Sequence, residues 1–254
     1  MRFASLGSGS AGNGLVVEAD GTRVLIDCGF GVRDTAARLA RLGLEPGSLA
    51  AILVTHEHSD HVGGVPAFAA RHRIPVWATF GTLTASNGRF DRIDHVFGFE
   101  SHDAFAIGAL TISPFPVPHD AREPVQFVVG DGACRLGVLT DLGTSTSCVE
   151  ASLSGCDALV LECNHDLEML ANSSYPFPLK QRIAGPYGHL HNEASAELLA
   201  RIDTSKLKHI IAAHLSKQNN TPAMARAALA GALGCAEDWI GVADQAAGFG
   251  WREL

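Results

Sequence analysis

The sequence predicts an α/β (α+β) chain folded as a four-layer αββα sandwich, and three observations lead there. Strand signals come in groups, with helical segments between the groups rather than after every strand, which favours two mixed sheets over a regular βαβ parallel sheet. The strand segments are short runs, β-branched or apolar, and those of the N-terminal third are bounded by Gly, Asp or Asn. Two segments, "AAILVTHEHSDH" and "KHIIAAHLSKQN", are apolar strands that end in histidine and follow a helix, so two sheets could each offer a strand end to one shared edge.

The elements read as follows along the chain. "RFASLG", "GLVVEAD" and "TRVLIDCG" are short, β-branched or apolar runs bounded by Gly, Asp or Asn, and are expected as strands. "VRDTAARLARLG" has helical spacing, with Val32, Ala36, Leu39 and Leu42 on one face and Gly43 closing it. "AAILVTH" is expected as a buried strand running straight into a histidine cluster. "HVGGVPAFAARHR" is expected as one helix with Pro66 near its first turn. Further strands are expected at "PVWATF", "HVFGFE", "LTISPFPV", "VQFVVG", "RLGVLTD", "DALVLEC" and "HIIAAH". Further helices are expected at "SCVEASLSG", "NEASAELLARI" and "PAMARAALAGAL". No long linker or low-complexity segment divides the chain, so residues 1–254 are expected to form one domain, with a diverged internal duplication as its possible origin.

Composition narrows the function classes. The chain has 254 residues, 46% hydrophobic and 18% charged, ordinary for a soluble globular protein with a sizeable core. The net charge of -8 gives no global basic field to draw nucleic acid, although two divalent cations would add positive charge where a phosphate would sit. None of the six cysteines forms a C-x-x-C pair, so a zinc knuckle or thioredoxin-type motif is not expected. Buried, reduced thiols in a cytoplasmic protein are. The start, "MRFASLGSGSAGNG", has no apolar stretch suited to a signal peptide, and no run reaches the ~18 apolar residues of a membrane span. No membrane association is expected, and oligomeric state is open.

Chemistry concentrates in "LVTHEHSDHVGG", where His56, His58, Asp60 and His61 sit within six positions. A strand-to-loop turn lets His56 and His58 bend round one ion, whereas Asp60 and His61 are adjacent and point elsewhere, so the spacing favours two metals. A polar loop with Ser59 or Asp60 as helix N-cap explains one of these residues, not four. Two ions need more donors than four plus a place for water. His119 in "PFPVPHDA", Asp141 in "RLGVLTDLG" and His214 in "HIIAAHLS" each end an apolar strand and complete the candidate set.

"THEHSDH" followed by "PHD", "LTD" and "HLS" resembles the metallo-β-lactamase-fold hydrolases over residues 3 to 215. The resemblance implies that fold, with His56, His58 and His119 on one metal, Asp60, His61 and His214 on the other, and Asp141 bridging. It also implies a bridging hydroxide as nucleophile, because two cations lower the pKa of a shared water toward neutrality. The metals would be Zn2+ or Mn2+, with iron possible.

The bond that is cut must be read from other segments. "SLGSGSAGNG" either presents backbone N–H groups to an anion or simply makes a tight hairpin. "LVLECNHD" places Glu162 at a strand end with His165 close behind. "YPFPLKQRI" brings Lys180 and Arg182 together, as a phosphate contact or as a solvated pair. "GPYGHLHNEASAELLA" sets His189 and His191 ahead of a helix, with Asn192 as its expected N-cap. Together, "GSGSAGN", "ECNHD", "LKQRI", "GHLHN" and "HLS…NN" resemble the YycJ/WalJ-like branch of 5′→3′ exonucleases acting on DNA, and are also similar to RNase Z.

That likeness implies His189 as general acid supported by Glu162, with Asp60 at the catalytic centre. It implies Ser10, Asn13, His165, Lys180, Arg182, His191 and Asn219 as substrate contacts. His191 stands where the branch usually has Ser, and the chain is too short for the inserted β-CASP domain of larger nucleases of this fold. A hydrolase of small substrates is the alternative, on a cyclic or simple phosphodiester or a glyoxalase II-type thioester.

Overall fold

The computed structural model covers residues 1–254. The first half of the chain lays down β1 (Arg2–Gly7), β2 (Gly14–Ala19), β3 (Thr22–Ile26), α1 (Val32–Arg41), β4 (Ala51–Leu53), α2 (Ser59–Val62), α3 (Val65–His72), β5 (Val76–Thr79), α4 (Phe80–Ala85) and β6 (Val96–Phe99). The second half continues with β7 (Phe105–Ile107), β8 (Leu110–Pro116), β9 (Val125–Gly130), β10 (Arg135–Leu139), α5 (Ser147–Leu153), β11 (Ala158–Glu162), α6 (Leu167–Asn172) and α7 (Phe177–Ile183). It closes with α8 (Asn192–Arg201), β12 (His209–Ala213), α9 (Pro222–Leu233), β13 (Gly241–Val242) and β14 (Phe249–Glu253).

Each half builds one sheet on a common plan, and β14 crosses from the C-terminal end to complete the first, so each sheet has seven strands. The first sheet has the order β14-β1-β2-β3-β4-β5-β6, the second β13-β12-β11-β10-β9-β8-β7. In both, an antiparallel meander (β1–β3, β7–β10) passes into a run of parallel strands (β3–β6, β10–β13). The two sheets therefore share the expected mixed character, but the echoing segments do not hold equivalent places, because β4 is the second strand of its parallel run and β12 the third.

Strand alternation sorts side chains into three layers of core. Leu15, Val17, Phe127, Val129, Val138 and Val160 point between the sheets. Val16, Leu25 and Ile52 point the other way, under Leu39 of α1 and Phe68 of α3. Leu159, Leu161 and Ile210 are covered by Leu153, Leu198 and Leu229 of α5, α8 and α9. Because both faces of each sheet are buried, the central strands read as continuous apolar runs, and this is why the sandwich was visible in the sequence.

Several expectations change. "AAILVTH" is a strand only to Leu53, so Val54, Thr55 and His56 are already loop. The segment 61–73 is not one helix, because the chain breaks at Gly63 and Gly64. A Cβ on Gly64 would stand 1.8 Å from the Phe30 carbonyl oxygen, so this crossing needs glycine. His58, not Ser59 or Asp60, is the N-cap of α2, and it caps without a side-chain bond. His191, not Asn192, caps α8, accepting from Ala194 N–H at 3.2 Å. Asn192 is buried instead and pairs with Asn220. On α1 only Leu39 of the expected face is fully buried.

No sequence signal pointed to α4, α6, α7, β7, β13 or β14. These are two to seven residues long, too short for a period to show, and β14 exists only through its pairing with β1. All six cysteines are unpaired. Cys28, Cys156 and Cys163 are buried as expected, whereas Cys148 is exposed.

Candidate metal centre

The ligand candidates lie on loops and strand ends that the two sheets bring to one edge. His56, His58, Asp60 and His61 follow β4, Asp141 follows β10, and His214 follows β12. His119 lies between β8 and β9. His56, His61, His119, Asp141 and His214 are buried, while His58 and Asp60 are partly open.

Two clusters result. In the first, His58 Nδ1 lies 3.2 Å from His119 Nε2, and the His56 ring centre is 4.6 Å from that of His58 and 4.9 Å from that of His119. In the second, Asp60 Oδ2 is 3.3 Å from His61 Nε2 and 3.4 Å from His214 Nε2. Asp141 reaches both, with Oδ2 3.1 Å from His61 Nε2 and Oδ1 3.7 Å from His119 Nε2. Within each cluster the donor atoms lie within 4.8 Å of one another.

Divalent cations fit this donor set. His56 Nε2 and Asp141 Oδ2 are buried with no hydrogen-bond partner, although buried polar atoms are rarely left so. His58 and His119 turn ring nitrogens toward each other, which imidazoles do around a shared cation. The electrostatics agree. Burial, with His61 and His119 beside it, pushes His56 well below the usual histidine range, and burial also lowers His119, so both favour the neutral, ligating form. Burial opposes charge on His61 and His214, but Asp141 and its neighbouring carboxylates outweigh it, raising His61 well above its ordinary value and His214 to about 10. Burial would raise Asp60 and Asp141, and the surrounding histidines overcome that and hold both low. The pocket thus concentrates carboxylate charge that needs cationic partners.

The candidate ligands are fixed from behind, by residues the sequence reading missed. Asp27 ends the β3 segment with a left-handed backbone (φ 59°) and turns its carboxylate inward. Its Oδ2 accepts from His61 Nδ1 at 2.7 Å and from the Thr55 hydroxyl at 2.8 Å, and its Oδ1 accepts from Thr55 N–H at 2.9 Å. Thr55 Oγ1 is also 3.0 Å from His56 Nδ1. Such partners fix the tautomer that aims the other ring nitrogen at a metal. The available signal was an aspartate ending the apolar run "TRVLID", where a buried carboxylate needs a task.

Asn13, expected as a substrate contact, is buried. Its Oδ1 accepts from Gly9 N–H at 2.8 Å, and its amide nitrogen lies 3.3 Å from Asp60 Oδ2 and 3.1 Å from His61 Nε2. In this structure its amide is turned toward the candidate ligands and not toward open solvent. Behind His119, Nδ1 donates to the Gly188 carbonyl at 3.0 Å.

A second assembly flanks the ligands. Glu162, fully buried at the end of β11, accepts from His189 Nδ1 at 2.8 Å and from His214 Nδ1 at 3.2 Å. It also accepts the backbone N–H groups of Leu142 at 2.8 Å and Leu190 at 3.2 Å. Burial alone would raise the Glu162 carboxyl, and the His189 charge and hydrogen bond bring it below its ordinary value. The His189 ring lies 5.2 Å from those of both His119 and His214, and it is one-fifth exposed. With His191, Thr144 and Ser145 it lines a cleft of 460 Å³.

The other expected contacts divide. Arg182 Nε donates to Asp120 Oδ2 at 2.5 Å, and Asp120 Oδ1 is 3.7 Å from His58 Nε2, so Arg182 stands on the rim of the site. Lys180 is on the same helix, its Nζ donating to the Ala171 carbonyl at 2.6 Å. Ser10 is exposed on the β1–β2 loop. His165 and Asn219 are closed off from solvent in this conformation, and neither side chain has a hydrogen-bond partner. Burial lowers His165 to about 4, so it is neutral.

Comparison with known proteins places these features. Residues 22–214 match the family model of the beta-lactamase superfamily domain. The chain is 36% identical to exodeoxyribonuclease YycJ of Bacillus anthracis over 228 residues, covering 89% of this chain and 86% of that protein. It is 34% identical to exodeoxyribonuclease WalJ of Streptococcus pneumoniae over 250 residues, covering 95% and 91%. The zinc-bound crystal structure of PqqB from Methylobacterium extorquens superposes with a TM-score of 0.75 over the whole of both chains at 19% identity, a likeness of fold.

Proposed function

The chain belongs to the beta-lactamase superfamily, in its YycJ/WalJ branch, and from that premise we propose that it is a divalent-metal-dependent phosphodiesterase that removes nucleotides from DNA ends, as a 5′→3′ exonuclease does. The observation that carries the reading is His189, partly open and hydrogen-bonded to the buried Glu162, set directly against the clustered candidate ligands. A hydrolase needs the ligands, and cleavage of an alkoxide leaving group needs a proton donor as well.

His56, His58 and His119 would hold one ion, Asp60, His61 and His214 the other, and Asp141 both. Bound there, the ions would make water nucleophilic near neutral pH and polarise a phosphoryl oxygen. The protein's own part follows from its geometry. Glu162 engages His189 through Nδ1 and fixes the ring, leaving Nε2 to serve the departing oxygen. Water oxygen joins phosphorus and gives up a proton to solvent, the P–O3′ bond breaks, and His189 delivers a proton to the departing 3′-oxygen. Arg182, half free in solvent on the rim, and Lys180 steady the backbone phosphates. The nitrogen-rich donor set suits zinc, and its carboxylates with open positions also suit manganese. Six cysteines without a disulfide fit a cytoplasmic setting.

The test is a panel of a 5′-phosphorylated single-stranded oligonucleotide, bis-p-nitrophenyl phosphate and a glutathione thioester, run beside elemental analysis. We expect mononucleotide release from the oligonucleotide, abolished in Asp60→Ala with the fold intact. Thioester or simple-diester turnover without oligonucleotide cleavage would make the protein a small-substrate hydrolase instead.

A further inference from the structure

Helix α7 has no buried residue, although every other helix of the fold longer than four residues contributes at least one. A helix that adds nothing to the core is held for what it presents. Residues 169–192 contain no Asp or Glu, in a chain whose acidic residues outnumber its basic ones by 27 to 19. The same stretch carries Lys180, Arg182 and three aromatics. Two of these, Phe177 at 70% and Tyr187 at 61%, are among the most exposed large apolar side chains of the molecule.

The backbone at Tyr187 is also anchored. Its carbonyl accepts from Asp120 N–H at 3.0 Å, and the next carbonyl, of Gly188, accepts from the ligand His119. The Thr144 hydroxyl donates to the Pro186 carbonyl at 3.1 Å. A Cβ on Gly143 would stand 2.3 Å from the Pro186 carbonyl oxygen, and one on Gly188 2.2 Å from the Arg182 and Ile183 carbonyl oxygens of α7, so the turn packs closely against its own helix and the Gly143 loop. The turn is thus clamped to two ligand-bearing loops, and His189 follows two residues later. An aromatic side chain exposed on an anchored backbone beside a reaction centre, in a segment free of acidic residues, has the features of a stacking surface for single strands: cations for the backbone and π-faces for the bases.

We propose that α7 and the Gly185–Gly188 turn form a single-strand platform. Tyr187 stacks on the base of the nucleotide that carries the departing 3′-oxygen. Phe177, about 7.5 Å along the helix axis from Arg182, stacks on a base further along. This rests on the nuclease reading and sharpens it. Stacking tolerates any base but requires it unpaired, so the substrate is a single strand or a frayed end.

The metal-loaded protein is assayed on a labelled single strand and on the same strand with an abasic terminal nucleotide. In wild type, loss of the base should lower kcat/KM about tenfold. Tyr187→Ala should lose a similar factor on the intact strand and nothing more on the abasic one, while Tyr187→Phe behaves as wild type. Anisotropy with a phosphorothioate strand should show the same pattern in affinity. If Tyr187→Ala still discriminates tenfold, the platform is wrong and the nuclease reading stands. If wild type neither binds nor cuts a strand yet hydrolyses a small phosphodiester, the nuclease reading fails and takes the platform with it. If Tyr187→Ala alters only the oligomeric state, by light scattering, the surface joins copies of the chain and the proposal is overturned.

Discussion

Asp27→Asn isolates the support behind the metal ligands. Asparagine tolerates the left-handed backbone at this position, so the change removes charge and one acceptor with little backbone strain. Its remaining oxygen can keep the bond from Thr55 N–H. The new NH2 group then faces the Thr55 hydroxyl and His61 Nδ1, which now donate to Oδ2 at 2.8 and 2.7 Å. The hydroxyl can rotate, but the imidazole has two choices. It can lose its hydrogen bond, or it can move its proton to Nε2, the atom that faces Asp60 at 3.3 Å and Asp141 at 3.1 Å. A protonated Nε2 cannot bind a cation. Removing an outer partner of a ligating histidine typically weakens metal binding by about 10- to 100-fold, or about 1.4 to 2.7 kcal/mol. The weakened ion should be the one on the Asp60, His61 and His214 side. Stripped protein titrated with zinc or manganese against a chromophoric chelator measures both steps, with circular dichroism as the control of fold. If both dissociation constants stay within about twofold of wild type, Asp27 does not hold His61 for a metal.

His189→Ala should slow oligonucleotide cleavage by about 100- to 10,000-fold, the usual scale of general acid catalysis, with metal content unchanged. Loss of metal instead would make His189 a ligand. Glu162→Ala removes the acceptor of two imidazoles and two backbone N–H groups in a fully buried place, and should destabilise the fold by about 3–5 kcal/mol in denaturant titration. A loss below about 1 kcal/mol would show that the network adjusts around the gap. Gly64→Ala forces a Cβ onto the Phe30 carbonyl, and should destabilise by more than the ~1 kcal/mol of an average substitution, read as a lowered Tm. In native protein at pH 8, a thiol reagent should label Cys148 first and spare Cys28 and Cys163, whose thiols burial pushes up to about 12. Equal labelling of all six would mean the buried thiols open readily.

The sequence by itself determined the sandwich, the dense cluster at His56–His61, and the strand ends carrying His119, Asp141 and His214. These are local facts. A strand buried on both faces must be apolar along its whole length, and ligands at i, i+2, i+4 and i+5 are close whatever the rest of the chain does. Only the tertiary structure decided what stands behind the cluster. Asp27 and Thr55 meet His61 through the parallel register of β3 and β4, and Glu162 meets His189 and His214 because three separate segments converge at the end of β11. It also turned the Asn13 amide toward the candidate ligands, closed His165 and Asn219 off from solvent, and exposed Phe177 on a helix with nothing to bury and Tyr187 on the turn that follows it. Those outcomes depend on which distant segments share an edge, and a polar or aromatic residue in sequence carries no mark of the neighbour it will meet.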